Sequence, residues 1–174
     1  MEPLIVLVVV SVVILIAGIA GVSRLRPWPV ALRGGLAAMF ILTGSVHFVY
    51  MRTEIIAMVP PILPNPDLIV TITGVLELAG AIGLLWYPTV TWATGGLSLL
   101  LIAMFPANLY IAINGLATSP EDALIPRTLM QILFLSASLT VWMYYRRHRS
   151  VRYNIPFSAA RSPVHAGDRV LILY

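Results

Sequence analysis

Five side chains with hydrogen-bonding chemistry stand inside or at the ends of apolar runs. They are His47, Glu77, Asn108, Arg127 and Gln131. A carboxyl or imidazole group can exchange protons, amides donate and accept hydrogen bonds, and a guanidinium donates them. An ionisable group within a membrane span costs about 2.5–3.5 kcal/mol on insertion scales, so each such group is a functional candidate. We therefore treat all five residues as candidate ligand-binding residues, and the catalytic residues, if there are any, as unknown.

Each candidate also has a structural interpretation. Glu77 shares a small, polar helix face with Thr73 and Gly74, where a hydrogen-bonded carboxyl could join two helices. His47 could be a packed histidine that takes part only in internal hydrogen bonds. Arg127, four residues before Gln131 and on the same helix face, could be an interfacial arginine whose charged end reaches water.

Asn108 follows Pro106 in the sequence Phe-Pro-Ala-Asn. Proline lacks a backbone N–H group and clashes with the carbonyl four residues earlier, here that of Ile102. In lipid a neighbouring group must replace the lost hydrogen bond. Two outcomes are open at this point: Asn108 helps to satisfy the distorted backbone, or the kink opens a pocket.

The elements that carry these residues are transmembrane helices. The chain of 174 residues is 59% apolar and only 10% charged, whereas a soluble domain carries about 25% charged residues. Five runs reach the roughly 20 residues needed to cross a membrane, at about 4–21, 30–50, 68–87, 90–113 and 124–145. The sequence predicts an all-α, integral membrane helical bundle over residues 1–149, followed by a basic cytoplasmic tail over 150–174.

The arginines predict the orientation of the bundle. Arg24, Arg26 and Arg33 lie around the first connection, and Arg146 and Arg147 begin a basic cluster after the last run. Basic residues favour the cytoplasmic side, so we expect the N-terminus outside and the C-terminus inside. The chain has a formal net charge of +4. Because the arginines lie at helix ends, they favour membrane lipids over nucleic acid as binding partners. The residues before the first run include the acidic Glu2 and no basic residue, whereas a signal peptide begins with a positively charged segment. This favours a retained helix over a signal peptide.

In this orientation the five candidate residues share the outer half of the bundle, and a proline-rich segment lies on the same side. Residues 58–66 contain four prolines, which exclude a regular helix. Met58, Val59 and Ile62 make the segment too apolar for a solvated loop. We interpret it as a stiff lid over the mouth of the bundle; the alternative is a plain rigid connector between two helices.

Several motifs resemble those of the DoxX family of small bacterial membrane proteins. They are Thr-Gly-Ser-Val-His-Phe at 43–48, Met-Val-Pro-Pro-Ile-Leu-Pro at 58–64, Thr-Gly-Val-Leu-Glu-Leu-Ala-Gly at 73–80, Phe-Pro-Ala-Asn-Leu-Tyr at 105–110, and the Arg127-to-Gln131 helix start. The resemblance covers residues 30–145. It implies a four-helix DoxX-like core with one extra N-terminal transmembrane helix, in the cell membrane of a bacterium (the inner membrane). It also implies a link to membrane redox complexes, since the family is named after a subunit of a thiosulfate:quinone oxidoreductase. Related proteins in animals are linked instead to receptor assembly.

Two functions from different classes are consistent with these observations. The first is a quinone- or lipid-binding subunit of a membrane redox complex, in which His47 and Glu77 bond the head group while Asn108 and Gln131 shape the site. The second is a non-catalytic accessory or assembly subunit that stabilises other membrane-protein subunits through its helix faces. A small transporter is disfavoured because no inverted repeat is visible. With no cysteine and too few histidines in one place, no metal site is predicted.

Overall fold

The computed structural model describes residues 1–49, 51–114 and 123–153. The described helices are α1 (Glu2–Ile19), α2 (Trp28–Val46), α3 (Arg52–Ala57), α4 (Pro66–Leu85), α5 (Val90–Ile113) and α6 (Leu124–Tyr153). Short 3₁₀ turns at Ser23–Leu25 and Tyr87–Thr89 join some of them, and these ranges contain no strand. The end of the second predicted run at Tyr50 and the tail after Tyr153 lie outside the described residues.

Five helices are long and apolar enough to cross a membrane, namely α1, α2, α4, α5 and α6. The architecture is therefore all-helical and compatible with a multi-pass membrane protein. The structure begins α1, α2 and α4 two residues before the predicted starts, because each has a proline in its first turn. A proline fits there, since the first backbone N–H groups of a helix have no partner within the helix. The last helix continues through the first four residues of the predicted tail, to Tyr153.

Four of the helices contact one another in a ring around the core. Helix α2 packs on α4 and α6, and α5 packs on the same two helices. The core includes Leu36, Phe40, Leu84, Leu97 and Val141, all fully or almost fully buried. Helix α1 packs mainly on α2, and a Cβ on Gly35 of α2 would lie 2.6 Å from the backbone oxygen of Leu7. Glycine thus lets α1 and α2 approach at backbone distance.

The antiparallel order brings the starts of α1, α4 and α6 and the ends of α2 and α5 to one end of the bundle, which we call the site end. Arg52 of α3 ties this end together. Its guanidinium donates to the backbone oxygen of His47 (3.2 Å), to the Asp67 carboxylate (2.8 Å) and to the Thr71 hydroxyl (2.9 Å). A cation at the end of α2 also complements the partial negative charge of the helix terminus.

Candidate functional site

His47 directly follows the last residue of α2, so it ends the helix instead of lying inside it as the predicted run 30–50 implied. Its Nδ1 lies 2.8 Å from the backbone oxygen of Thr43. A carbonyl oxygen can only accept, so Nδ1 must carry the hydrogen. The side chain is 4% exposed, and its other nitrogen, Nε2, is buried with no hydrogen-bond partner. The ring is therefore held at Nδ1 and has no hydrogen-bond partner at Nε2.

Glu77 lies near the middle of α4, about 16 Å from the helix start at about 1.5 Å per residue. It is also 4% exposed. Its polar neighbours are the Thr43 hydroxyl and the His47 imidazole. One carboxyl oxygen, Oε2, is buried and has no hydrogen-bond partner. Glu77 thus joins His47 in placing an unsatisfied polar atom in the interior of the bundle.

Two glycines bring His47 and Glu77 together. A Cβ on Gly44 of α2 would lie 3.2 Å from the Glu77 Cβ, and a Cβ on Gly74 of α4 would lie 2.7 Å from the His47 Cβ. Each glycine is three residues from the polar residue of its own helix, so it shares a helix face with it. The close contact of α2 and α4 at this level therefore depends on two missing side chains.

The other three candidates form a hydrogen-bonded network between α5 and α6. The Arg127 guanidinium donates to the Asn108 side-chain oxygen (3.2 Å), and the Asn108 amide donates to the Gln131 side-chain oxygen (2.8 Å). The Gln131 amide then donates to the backbone oxygen of Leu101. These side chains join the two helices at the level of Pro106.

This network reaches the backbone of α5 close to Pro106. The residue that reaches the backbone of α5 is Gln131 of α6, and its acceptor is Leu101, next to the carbonyl that proline deprives of a partner. Asn108 contributes indirectly by holding Gln131. A pocket also lies at this level, because Leu101, Met104 and Asn108 line a cavity. The side-chain bonds of Asn108 thus go to Gln131 and Arg127, and the cavity lies at the level of Pro106.

All five predicted site residues line this one cavity, which has a volume of about 350 Å³. The remaining wall is mostly apolar and comes from α1, α2, α5, α6 and the turn before α3: Met1, Glu2, Pro3, Met39, Phe40, Leu42, Thr43, Val46, Met51, Leu101, Met104, Met130 and Phe134. The cavity volume falls at the lower end of the roughly 300–1,000 Å³ found for small-molecule sites. A pocket with an apolar wall and a few converging polar groups is the usual form of a ligand site.

The predicted lid is wrong. None of residues 58–66 lines the cavity; the segment is a connector that exposes Ile62 to 90% and ends at Asn65 with a positive φ of 52°. Its prolines stiffen it between α3 and α4, and Arg52 holds α3 onto the start of α4, so the segment does not cover the mouth. The first residues of α1, Met1–Pro3, and Met51 lie at the cavity instead.

Sequence reasoning also missed Thr43 as a site residue. Its carbonyl orients His47, and its hydroxyl is a polar neighbour of Glu77. The signal was its position four residues before His47, which places the two on one helix face. The contribution of Met1–Pro3 had no such signal, because it follows from how α1 packs on α2.

Comparison with known proteins gives a family but no function. Residues 36–147, more than half of the chain, match the family described as "Domain of unknown function (DUF8561)". No match to the DoxX family was found, so the expected membership is wrong, and the link to a thiosulfate:quinone oxidoreductase has no support. The motifs behind that resemblance combine glycine, proline and isolated polar residues, which membrane helices use generally to pack and to satisfy polar groups.

No curated protein and no solved structure matches the chain. Among the described residues, no group of three or more histidine, cysteine, aspartate or glutamate side chains is placed to hold a metal ion. The matched range begins within α2, so it includes His47, Glu77, Asn108, Arg127 and Gln131 and leaves α1 outside. The chain belongs to the DUF8561 family.

Proposed function

We propose that this protein binds a lipophilic molecule with a small hydrogen-bonding head group, of the quinone class, in the cavity at the site end. The observation that carries the proposal is the pair of buried polar atoms, His47 Nε2 and Glu77 Oε2, which have no partner and belong to residues of one cavity wall. A buried polar group without a partner costs about 1–3 kcal/mol, and lipid cannot supply the missing bond. A bound head group removes that cost.

The cavity suits one ring-sized group better than a whole lipid. Its volume of about 350 Å³ accommodates a ring, while an attached chain would have to extend beyond it. Met39, Met104 and Met130 line it, and methionine side chains adapt to flat or irregular apolar groups. A molecule of the quinone class combines a flat apolar ring with oxygen atoms that form hydrogen bonds, which suits a wall that is mostly apolar with a few polar groups.

We place the site end on the outer side of the cell membrane, with the C-terminus in the cytoplasm. The arginines of the connection before α2 and those at the end of α6 support this orientation. In the proposed role the chain is a subunit of a membrane redox complex. It holds the ligand, and a partner subunit exchanges electrons with it.

The second candidate is an accessory subunit without a ligand of its own. It is favoured by α1, which packs mainly on α2 and leaves Ile5, Val9, Val13 and Ile16 more than half exposed. In this case the polar residues only join helices, and water or nothing fills the cavity. Co-purification of larger subunits together with an empty cavity would support this candidate.

The test is to purify the full chain in a mild detergent, extract it with organic solvent and quantify quinones and lipids by mass spectrometry. We expect close to one bound molecule per chain for the wild type, and a loss of at least several-fold in Glu77→Gln and His47→Phe. Glu54→Gln is the matched control, because Glu54 is an exposed glutamate of α3 that does not line the cavity. Equal retention in all four proteins would contradict the proposal.

A further inference from the structure

The hydrogen bonds around the cavity restrict what its ligand can be. On the side formed by α5 and α6, Asn108 and Gln131 each use both the oxygen and the nitrogen of the side chain in bonds within the protein. On the side formed by α2 and α4, His47 Nδ1 donates to the Thr43 backbone. Two buried atoms of the site residues on this α2–α4 side have no hydrogen-bond partner. They are His47 Nε2 and Glu77 Oε2. On this side of the cavity, these two atoms therefore decide which hydrogen bonds a head group can make.

When the one acidic proton of the His47–Glu77 pair lies on Glu77 Oε2 or on His47 Nε2, the pair offers one donor and one acceptor. With the proton on Glu77, Oε2 donates and Nε2 accepts. With the proton on His47, Nε2 donates and the Oε2 of the carboxylate accepts. A pair with no net charge is what apolar surroundings favour, because an uncompensated buried charge is far more costly. The ligand must thus supply one acceptor and one donor at this point.

A quinone carbonyl oxygen can only accept a hydrogen bond, whereas a hydroxyl group both donates and accepts. We infer that the cavity recognises a hydroxyl group, and that it binds the reduced, hydroquinone form of its ligand more tightly than the quinone form, because only a hydroxyl satisfies both His47 Nε2 and Glu77 Oε2. This inference rests on the proposed function and names its ligand more closely. With the quinone bound, one buried acceptor of the pair is left without a hydrogen.

The preference has a measurable size and sign. Leaving one buried acceptor unpaired weakens binding by about tenfold or more. Tighter binding of the reduced form raises the midpoint potential of the bound couple, by about 30 mV for each tenfold ratio of affinities in a two-electron couple. The bound ligand is therefore expected to be a weaker reductant than the same molecule free in the membrane.

The test uses three probes with one ring and one short saturated chain: a benzoquinone, its hydroquinone and the dimethyl ether of that hydroquinone. Each is titrated without oxygen, by calorimetry, into the full chain in nanodiscs. We expect the hydroquinone to bind at least about tenfold more tightly than the quinone. The dimethyl ether has no hydroxyl hydrogen and should bind no better than the quinone.

His47→Phe should reduce the hydroquinone-to-quinone ratio to less than about threefold, because it removes one of the two polar atoms. Met39→Leu is the control: it changes an apolar part of the wall and should alter both affinities together, leaving the ratio unchanged. The ratio is measured within one preparation, so partial unfolding of a variant cancels. Quinone binding as tight as hydroquinone binding, or an unchanged ratio in His47→Phe, would overturn the inference while the proposed function stands. No binding of any probe would overturn both.

Discussion

At the residue scale, the site depends on glycines as much as on polar side chains. Gly44 and Gly74 lie opposite Glu77 and His47 across the contact between α2 and α4. In lipid no hydrophobic effect drives helices together, so close packing and hydrogen bonds must hold them. The same small residues that stabilise the pair of helices therefore set the separation of the imidazole and the carboxyl group.

Gly74→Ala should displace His47. The added Cβ would lie 2.7 Å from the His47 Cβ and 2.9 Å from the Phe48 ring, so the helices must separate at a cost of about 1–3 kcal/mol. We expect lower thermal stability in detergent and weaker ligand retention. Gly96→Ala is the control, since its Cβ would meet nothing within 4 Å. If the two variants behaved alike, the close contact would not matter.

Gln131→Leu should destabilise the contact between α5 and α6. It keeps the size of the side chain but leaves the Leu101 carbonyl and the Asn108 amide without their partner. The expected loss is about 1–3 kcal/mol in the free energy of unfolding, measured by denaturant titration of the detergent-solubilised protein. Ser136→Ala removes only an exposed hydroxyl that bonds to its own helix and should change stability by less than about 0.5 kcal/mol. Equal losses would contradict the role given to Gln131.

At the scale of elements, α3 is the part that sequence reasoning did not foresee. A segment of six residues, Arg52–Ala57, is too short to stand out as an apolar run. It is held by Arg52, whose hydrogen bonds reach the end of α2 and the start of α4. Through them α3 fixes the backbone of His47, which no pattern in the sequence indicated.

Arg52→Ala should loosen this end of the bundle without unfolding it. The bond to Asp67 is worth little, because the Asp67 side chain is 73% exposed and exposed ion pairs contribute about 0–1 kcal/mol. We therefore expect a small change in global stability and faster amide hydrogen exchange over residues 47–57. Arg24→Ala, at the other end of the molecule, should leave that exchange unchanged. Unchanged exchange in Arg52→Ala would show that another contact holds α3.

The long helices were predictable because lipid imposes a length and an apolar composition on each span. The five site residues were predictable as a group because polar side chains in a membrane are driven toward the interior of the bundle. The function of the proline-rich segment 58–66 was not predictable, since its prolines are equally consistent with a lid and with a connector. The family was not predictable either. Short motifs with glycine, proline and an isolated polar residue reflect helix packing and carry little information about ancestry.

At the scale of the whole molecule, the distribution of arginines predicts the orientation that we propose. A reporter fused to the C-terminus should be active in the cytoplasm, and one inserted between residues 60 and 64 should be active outside. An insertion at Pro88, between α4 and α5, is the internal control and should match the C-terminal fusion. Reporters that place the C-terminus outside would reverse the orientation, and with it the side from which the cavity is reached.

The central claim is that the five polar residues share one cavity that holds a ligand. It is tested most directly with a photoreactive short-chain quinone in nanodiscs, cross-linked to the full chain and mapped by peptide mass spectrometry. We expect labels within 39–51, 101–108 and 127–134, removed by excess unlabelled ligand. Labels spread over lipid-facing residues such as Ile82, Trp92 and Leu99, with no competition, would contradict the account.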